Sequence, residues 1–174
     1  MKRRIVVLGV ALLLAGAARD GGAQMLGVPV LQNAFTNPGI TLGVDFGTGA
    51  GANAYGVAGA WSPGNGVVQV SGGVALHDPD VGPSRPTWGV RVMAPIPRVG
   101  GRSFGVAAFA GVGALRMSGA TETHIPVGVS ASYRRALGAT RGVSVYVAPF
   151  YSGSRFKQDS LSTSHGLFRV SVGV

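Results

Sequence analysis

Residues 164–174 read SHGLFRVSVGV, a run that alternates large and small side chains to its last residue and carries one charge, Arg169, in the small set. Successive side chains of a strand point to opposite faces. Phe168, Val170, Val172 and Val174 therefore share one face, and Arg169, Ser171 and Gly173 the other. Such a strand fits a soluble sheet with its polar side in water. It also fits a membrane barrel with its apolar side in lipid and its polar side in a narrow interior. The rest of the chain decides between the two.

The same period of two recurs in eight segments, at 39–47, 53–61, 67–76, 87–95, 104–114, 124–133, 142–151 and 166–174. Each is near the 9 to 11 residues or so that a tilted membrane strand requires. The large set includes Ile40, Leu42, Val44 and Phe46, then Val68, Val70, Val74 and Leu76, then Val143, Val145, Val147 and Tyr151. The other set is mostly glycine, alanine and serine, with Phe109 and Tyr146 among them, and its charges well within strands are Asp45, Arg91 and Arg169. A face in water ordinarily carries mixed charges at roughly a quarter to a third of its positions. This set carries far fewer, while most strand glycines fall on it, as suits a crowded interior. The reading is an all-β, eight-stranded antiparallel up-and-down transmembrane barrel; a secreted soluble β-barrel, built like a lipocalin, is the alternative.

Composition points the same way. Only 12% of residues are charged, 30 are glycine, and the mean hydropathy is +0.34. No apolar run after residue 18 approaches the roughly 20 residues of a membrane helix, and strands that alternate are the spanning elements that leave no such run. The first residues, MKRRIVVLGVALLLAGAARDGGAQ, place basic residues before a short apolar stretch and then small residues. This is the layout of a secretory signal peptide. Cleavage after Ala23 divides the chain into a signal peptide at 1–23, a periplasmic lead-in at 24–38 and the barrel at 39–174. Cysteine is absent, so neither a disulfide nor a cysteine-linked lipid anchor is available. The signal segment holds four of the fifteen basic residues and one of the six acids, which leaves eleven against five. In an exported protein that excess favours anionic lipid over nucleic acid as a partner.

With both termini periplasmic, the external connections are TGAGA (48–52), HDPDVGPSRP (77–86), RMSGATET (116–123) and SGSRFKQDSLSTSH (152–165). The periplasmic ones, SPGNG (62–66), IPRVGGRS (96–103) and RALGATRG (135–142), are compact, which is the loop asymmetry of bacterial membrane barrels. Phe46, Tyr55, Trp88, Tyr151 and Phe168 fall near external strand ends, and Trp61, Phe104 and Tyr133 near periplasmic ones. Two aromatic girdles are expected at the two headgroup levels. Arg98, Arg102, Arg134, Arg135 and Arg141 lie in periplasmic connections, within reach of headgroups. Pro126 and Pro149 lie inside strands without a backbone donor, and a bulge near the external ends is expected to absorb them.

Over its mature length the chain resembles the small eight-stranded outer-membrane β-barrel proteins of Gram-negative bacteria. The resemblance rests on strand number, loop asymmetry, girdles and the terminal strand. It departs at Val174, where such proteins usually end on an aromatic residue recognised by the assembly machinery. The resemblance implies residence in the bacterial outer membrane, with outer-membrane lipids, lipopolysaccharide and the barrel-assembly machinery as partners. The family includes enzymes, porin-like channels, adhesins and structural barrels. Lipid A deacylases, which resemble the chain in outline, use His and Ser two residues apart; His77, His124 and His165 have no serine at that spacing. Asp159, Ser164 and His165 in the last loop are the nearest set for a lipid A-modifying enzyme. The glycine series DFGTGAGANAYG (45–56) reads as a hairpin, because no helix follows to hold a phosphate. The three histidines lack metal-ligand spacing, and no cofactor is expected.

Closing such a barrel makes the last strand a neighbour of the first, which would bring Arg169 towards Asp45, with Arg91 completing an interior network. Uncompensated buried charge costs several kcal/mol, so pairing is the expectation. Eight-stranded interiors are filled by side chains. The function expected is therefore a structural or surface-interaction role with a plugged interior, ahead of a narrow channel or apolar-ligand conduit.

Overall fold

The computed structural model describes residues 33–49, 52–100, 103–117, 119–137, 142–158 and 161–173. These form eight strands: β1 (Gly39–Gly49), β2 (Ala52–Ser62), β3 (Gln69–Pro79), β4 (Arg85–Gly100), β5 (Phe104–Met117), β6 (Ala120–Ala136), β7 (Gly142–Gln158) and β8 (Leu161–Gly173). Each pairs antiparallel with its neighbours in sequence, giving one up-and-down sheet in the order β1 to β8. No helix is present among the described residues. The expected signal peptide at 1–23 and residues 24–32 of the expected lead-in lie outside them.

Several strands run past the lengths that their apolar alternation predicts. β4 has 16 residues and β6 and β7 have 17 each. The connection expected as a long loop at 152–165 is mostly ladder, with Arg155 opposite Ser164, Phe156 opposite Thr163 and Lys157 opposite Ser162. The polarity that suggested a loop here does not interrupt the pairing, because a ladder is held by backbone N–H and C=O groups whatever the side chains. Arg155 Nε donates to Ser162 Oγ across the two strands at 3.0 Å. The β3–β4 turn is tied by a hydrogen bond from Ser84 Oγ to Asp78 Oδ1.

The prolines behave differently from expectation. Pro126 remains opposite Ser152 on β7, but the β5–β6 ladder skips it, resuming at Gly113 and His124 with the register unchanged. Pro149 likewise faces Val170 on β8 while the β6–β7 ladder is interrupted beside it. A missing N–H thus removes a rung without inserting a residue. The register shift lies instead between Pro95 and Gly100 on β4, at the short-turn end.

Among the described residues the expected seam between β8 and β1 is not formed: the sheet is open, and no contact joins its two edge strands. Ladder geometry bears on the length that such a seam would have. The row of directly opposed residues through Asp45 runs Gly56, Ala75, Thr87, Leu115, Glu122, Phe156 and ends at Thr163 on β8. Barrel closure requires a fixed stagger of the ladders; one of about eight residues, as in the parallel (β/α)8 barrel, would overlap Gly43–Gly49 with Leu167–Gly173. About seven opposed residues would meet there, making this the shortest ladder of the molecule.

The two faces of the sheet differ sharply. On the outer face Ile40, Leu42, Val44, Val57, Val74, Ile125 and Val127 are exposed. On the inner face Ser71, Thr87, Arg91, His124, Ser130, Ser132, Ser152 and Ser171 are buried with Ala58, Ala60, Ala107 and Ala148. The inner face is concave enough to enclose a core of Ala34, Met93, Ala107, Phe109, Ala148 and Phe150, with Tyr146 packed against it.

Candidate functional site

On the enclosed inner face charge, aromatic rings and buried polar groups converge. It is organised around a row of opposed residues that crosses six strands: Gln69 on β3, Met93 on β4, Phe109 on β5, Gly128 on β6, Phe150 on β7 and Arg169 on β8. Gly128 stands between two phenylalanines. A β-carbon there would come within 2.5 Å of Phe150 Cβ, so only a hydrogen fits. The rings of Phe109 and Phe150 meet over this gap with centroids 6.3 Å apart and planes tilted by 53°. Tilted pairs at this separation match the electron-poor edge of one ring to the electron-rich face of the other.

Arg91 lies two residues from Met93 on the same strand face and is 1% exposed. Its guanidinium carbon is 4.7 Å from the centre of the Phe109 ring. Its Nη2 approaches Met93 Sδ at 3.5 Å. The opposing residue on β5 is Gly111, where a β-carbon would lie 2.8 Å from the carbonyl oxygen of Val90 and 3.4 Å from Arg91 Cβ. Glycine thus lets the arginine stem lie flat against its neighbour strand. A cation over a ring face, away from water, is held by the ring quadrupole.

Of the interior network read from sequence, Arg91 and Arg169 both belong to the inner face, but on different rows. Asp45 lies on β1, opposite Gly56, with its side chain outside the described residues. Arg169 faces Phe150, not a carboxylate, across the β7–β8 ladder. The contacts of Arg91 with Phe109 and Met93 were missed by sequence reasoning. The signal was there: Phe109 is a large residue in the small set.

A second polar group occupies the opposite end of the inner face. His124, Ser154 and His165 oppose one another across β6, β7 and β8. Glu122, one inward position along β6, brings Oε1 to 3.4 Å from His124 Nε2. Ser154 Oγ donates to the carbonyl oxygen of His165 at 3.3 Å. Of the candidate set Asp159, Ser164 and His165, the last two are described with their side chains. Ser164 and His165 are consecutive on β8 and point to opposite faces, and Asp159 lies outside the described residues. Among the described residues no three His, Asp or Glu side chains converge as a metal site.

Of the residues expected in the girdles, Tyr55, Trp61, Trp88, Phe104, Tyr133, Tyr151 and Phe168 are exposed on the outer face; the Phe46 side chain is outside the described residues. The register adds what spacing alone does not give: Phe46 opposes Tyr55, Phe104 opposes Tyr133, and Tyr151 opposes Phe168. Of the five arginines expected in periplasmic connections, Arg134 and Arg135 are described with their side chains. Arg134 Nη1 donates to Asn37 Oδ1 at 3.1 Å.

Comparison with protein-family models, with curated proteins and with solved structures finds no match to this chain.

Proposed function

We propose that the protein is an outer-membrane β-barrel with a structural or surface-interaction role, its strands crossing the bilayer and its interior filled by side chains. One observation carries this reading: the distribution of polarity is the reverse of a water-soluble domain. Large apolar side chains cover the outside, while the buried set includes an arginine, a histidine and seven serines. In water an exposed apolar sheet of this extent would be driven to aggregate. In a bilayer it faces hydrocarbon at no such cost, and the backbone polar groups are satisfied by the ladders.

Closure belongs to the same proposal. With a stagger of about eight residues, Asp45 opposes Ser171 and lies one inward position from Arg169. The acid and base then lie within reach of each other across the seam, and the two unpaired strand edges are removed from lipid. Phe46 with Tyr55, Phe104 with Tyr133 and Tyr151 with Phe168 supply amphipathic rings for headgroup levels. Lipopolysaccharide and other outer-membrane lipids are the partners that such a surface meets, and the barrel-assembly machinery is the route by which it would be inserted.

Fractionation tests the reading directly. The protein is expected in outer-membrane fractions, resistant to extraction by urea, and to migrate faster on a gel before boiling than after. Recovery in the soluble periplasmic or extracellular fraction would overturn it. The filled interior adds a second expectation, silence in planar bilayers; discrete conductance steps from the folded protein would contradict it.

A further inference from the structure

Residues 33–38 precede the sheet and show no strand period, yet Ala34 is only 3% exposed and belongs to the same core as Met93, Phe109 and Phe150. The neighbours of Ala34 are fastened on several sides. Asn33 Nδ2 donates to Ser144 Oγ on β7 at 2.6 Å. The backbone N–H of Ala34 donates to Ser132 Oγ on β6 at 2.8 Å. Thr36 Oγ1 donates to the carbonyl oxygen of Gly66 in the β2–β3 turn, also at 2.6 Å. Phe35 lies against Gly105 on β5, where a β-carbon would come within 3.1 Å of its ring, and the Arg134 guanidinium carbon stands 4.5 Å from the centre of the same ring.

These anchors belong to β5, β6, β7 and the turn that joins β2 to β3, so the segment reaches across the short-turn mouth. Its backbone bond with Ser132 and the side chain of Ala34 lie inside, while Asn37 at its other end is exposed at the rim. The partners are small. Serines at 132 and 144 and glycine at 105 leave the depth that an entering chain needs, and their hydroxyls supply the polar partners that its backbone and Asn33 require.

We infer that residues 33–37 form a plug seated in the short-turn mouth, closing the way to the inner face at Ala107 and Phe109. The plug is held by a set of hydrogen bonds, one small buried residue and one ring, without a continuous ladder. It is therefore the element that can leave the mouth while the sheet stays paired. The inference rests on the proposed barrel enclosing a lumen, but its test reads the mouth alone and can be made in detergent.

The chain lacks cysteine, so single thiols report without background. Ala107→Cys, on the inner face in the same buried cluster as Ala34, is expected to react slowly with a water-soluble maleimide in the refolded protein. Adding Asn33→Gly, Phe35→Gly and Thr36→Gly is expected to accelerate labelling at least ten-fold with heat-modifiable migration retained. Equal labelling in both backgrounds would overturn the plug. Should the triple variant fail to fold, the double variant Asn33→Cys/Ser144→Cys decides the matter in the otherwise native chain. Ready disulfide formation on mild oxidation supports the seated segment, and its absence in folded protein overturns it. Failure of the barrel reading would show instead as recovery in the soluble fraction, whichever way the thiols react.

Discussion

At Gly128 one missing methyl group decides how the interior is filled. Its hydrogen lets Phe109 and Phe150 meet across the strand that separates them, and the Phe109 ring in turn carries the guanidinium of Arg91. Gly128→Val would push a branched side chain into Phe150 and is expected to cost about 1 to 3 kcal/mol by overpacking. Urea unfolding in lipid vesicles, followed by tryptophan fluorescence, measures it; unchanged stability would mean that the rings do not pack over this position. The outer face offers the opposite test. Val127 is exposed in a mid-strand position of β6. Val127→Arg should cost about 2 to 4 kcal/mol if that position faces the bilayer midplane. A surface residue in water would usually change stability by within about 0.5 kcal/mol, so the same titration separates lipid from solvent. The inward placement of Arg91 was legible in the sequence, because parity along a strand fixes a residue's face. Its partnership with Phe109 was not, since that depends on which residues of β4 and β5 lie opposite.

At the scale of the element, strand length was the least legible feature. Apolar alternation marks the part of each strand that carries large side chains, whereas hydrogen bonding continues for as long as two backbones remain in register. β7 and β8 show the difference, since the ladder continues to Gln158 and Leu161 through residues whose polarity reads as a loop. Hydrogen exchange checks this directly: backbone amides within 154–157 and 162–165 should be protected well beyond the exchange time of an open loop. Exchange of the whole 152–165 stretch within the dead time would restore the loop. The prolines make a related point. Pro126 and Pro149 each interrupt one ladder while remaining paired on the other side, so each strand keeps its register and the alternation of its faces. The absence of periodicity in residues 33–38 marks them as something other than a strand, but gives no hint that they turn inward. The serines, Gly105 and Gly66 that receive them come from distant parts of the sequence.

At the scale of the whole molecule, what matters is whether the two sheet edges meet. The predicted contact of Asp45 with Arg169 depends on that seam, because the two residues lie at opposite ends of the strand order. The register of the seven existing ladders narrows the ways to close it, since a stagger of about eight residues places Asp45 against Ser171. Asp45→Cys/Ser171→Cys should therefore form a disulfide in the membrane-inserted protein, directly opposed strand residues being about 4.5 to 5.5 Å apart at their Cα atoms. An inserted, folded protein that resists this cross-link and also the one at neighbouring inward positions would have an open or differently staggered sheet. Closure is expected to be more favourable in lipid than in water, because an unpaired edge in hydrocarbon has no water to satisfy its N–H and C=O groups.

The sequence by itself determined the number of strands, their antiparallel order and the face on which nearly every strand residue lies. These follow from side-chain periodicity and short connections, which are local properties of the chain. Only the tertiary structure decided that Gly128 makes room for two rings, that Arg91 lies over Phe109 and that Ala34 is drawn into the mouth. It also left the edges of β1 and β8 apart where the sequence predicted a seam. Each of these depends on register summed across several strands, and a shift of a single rung in any one of them would assemble a different set of neighbours.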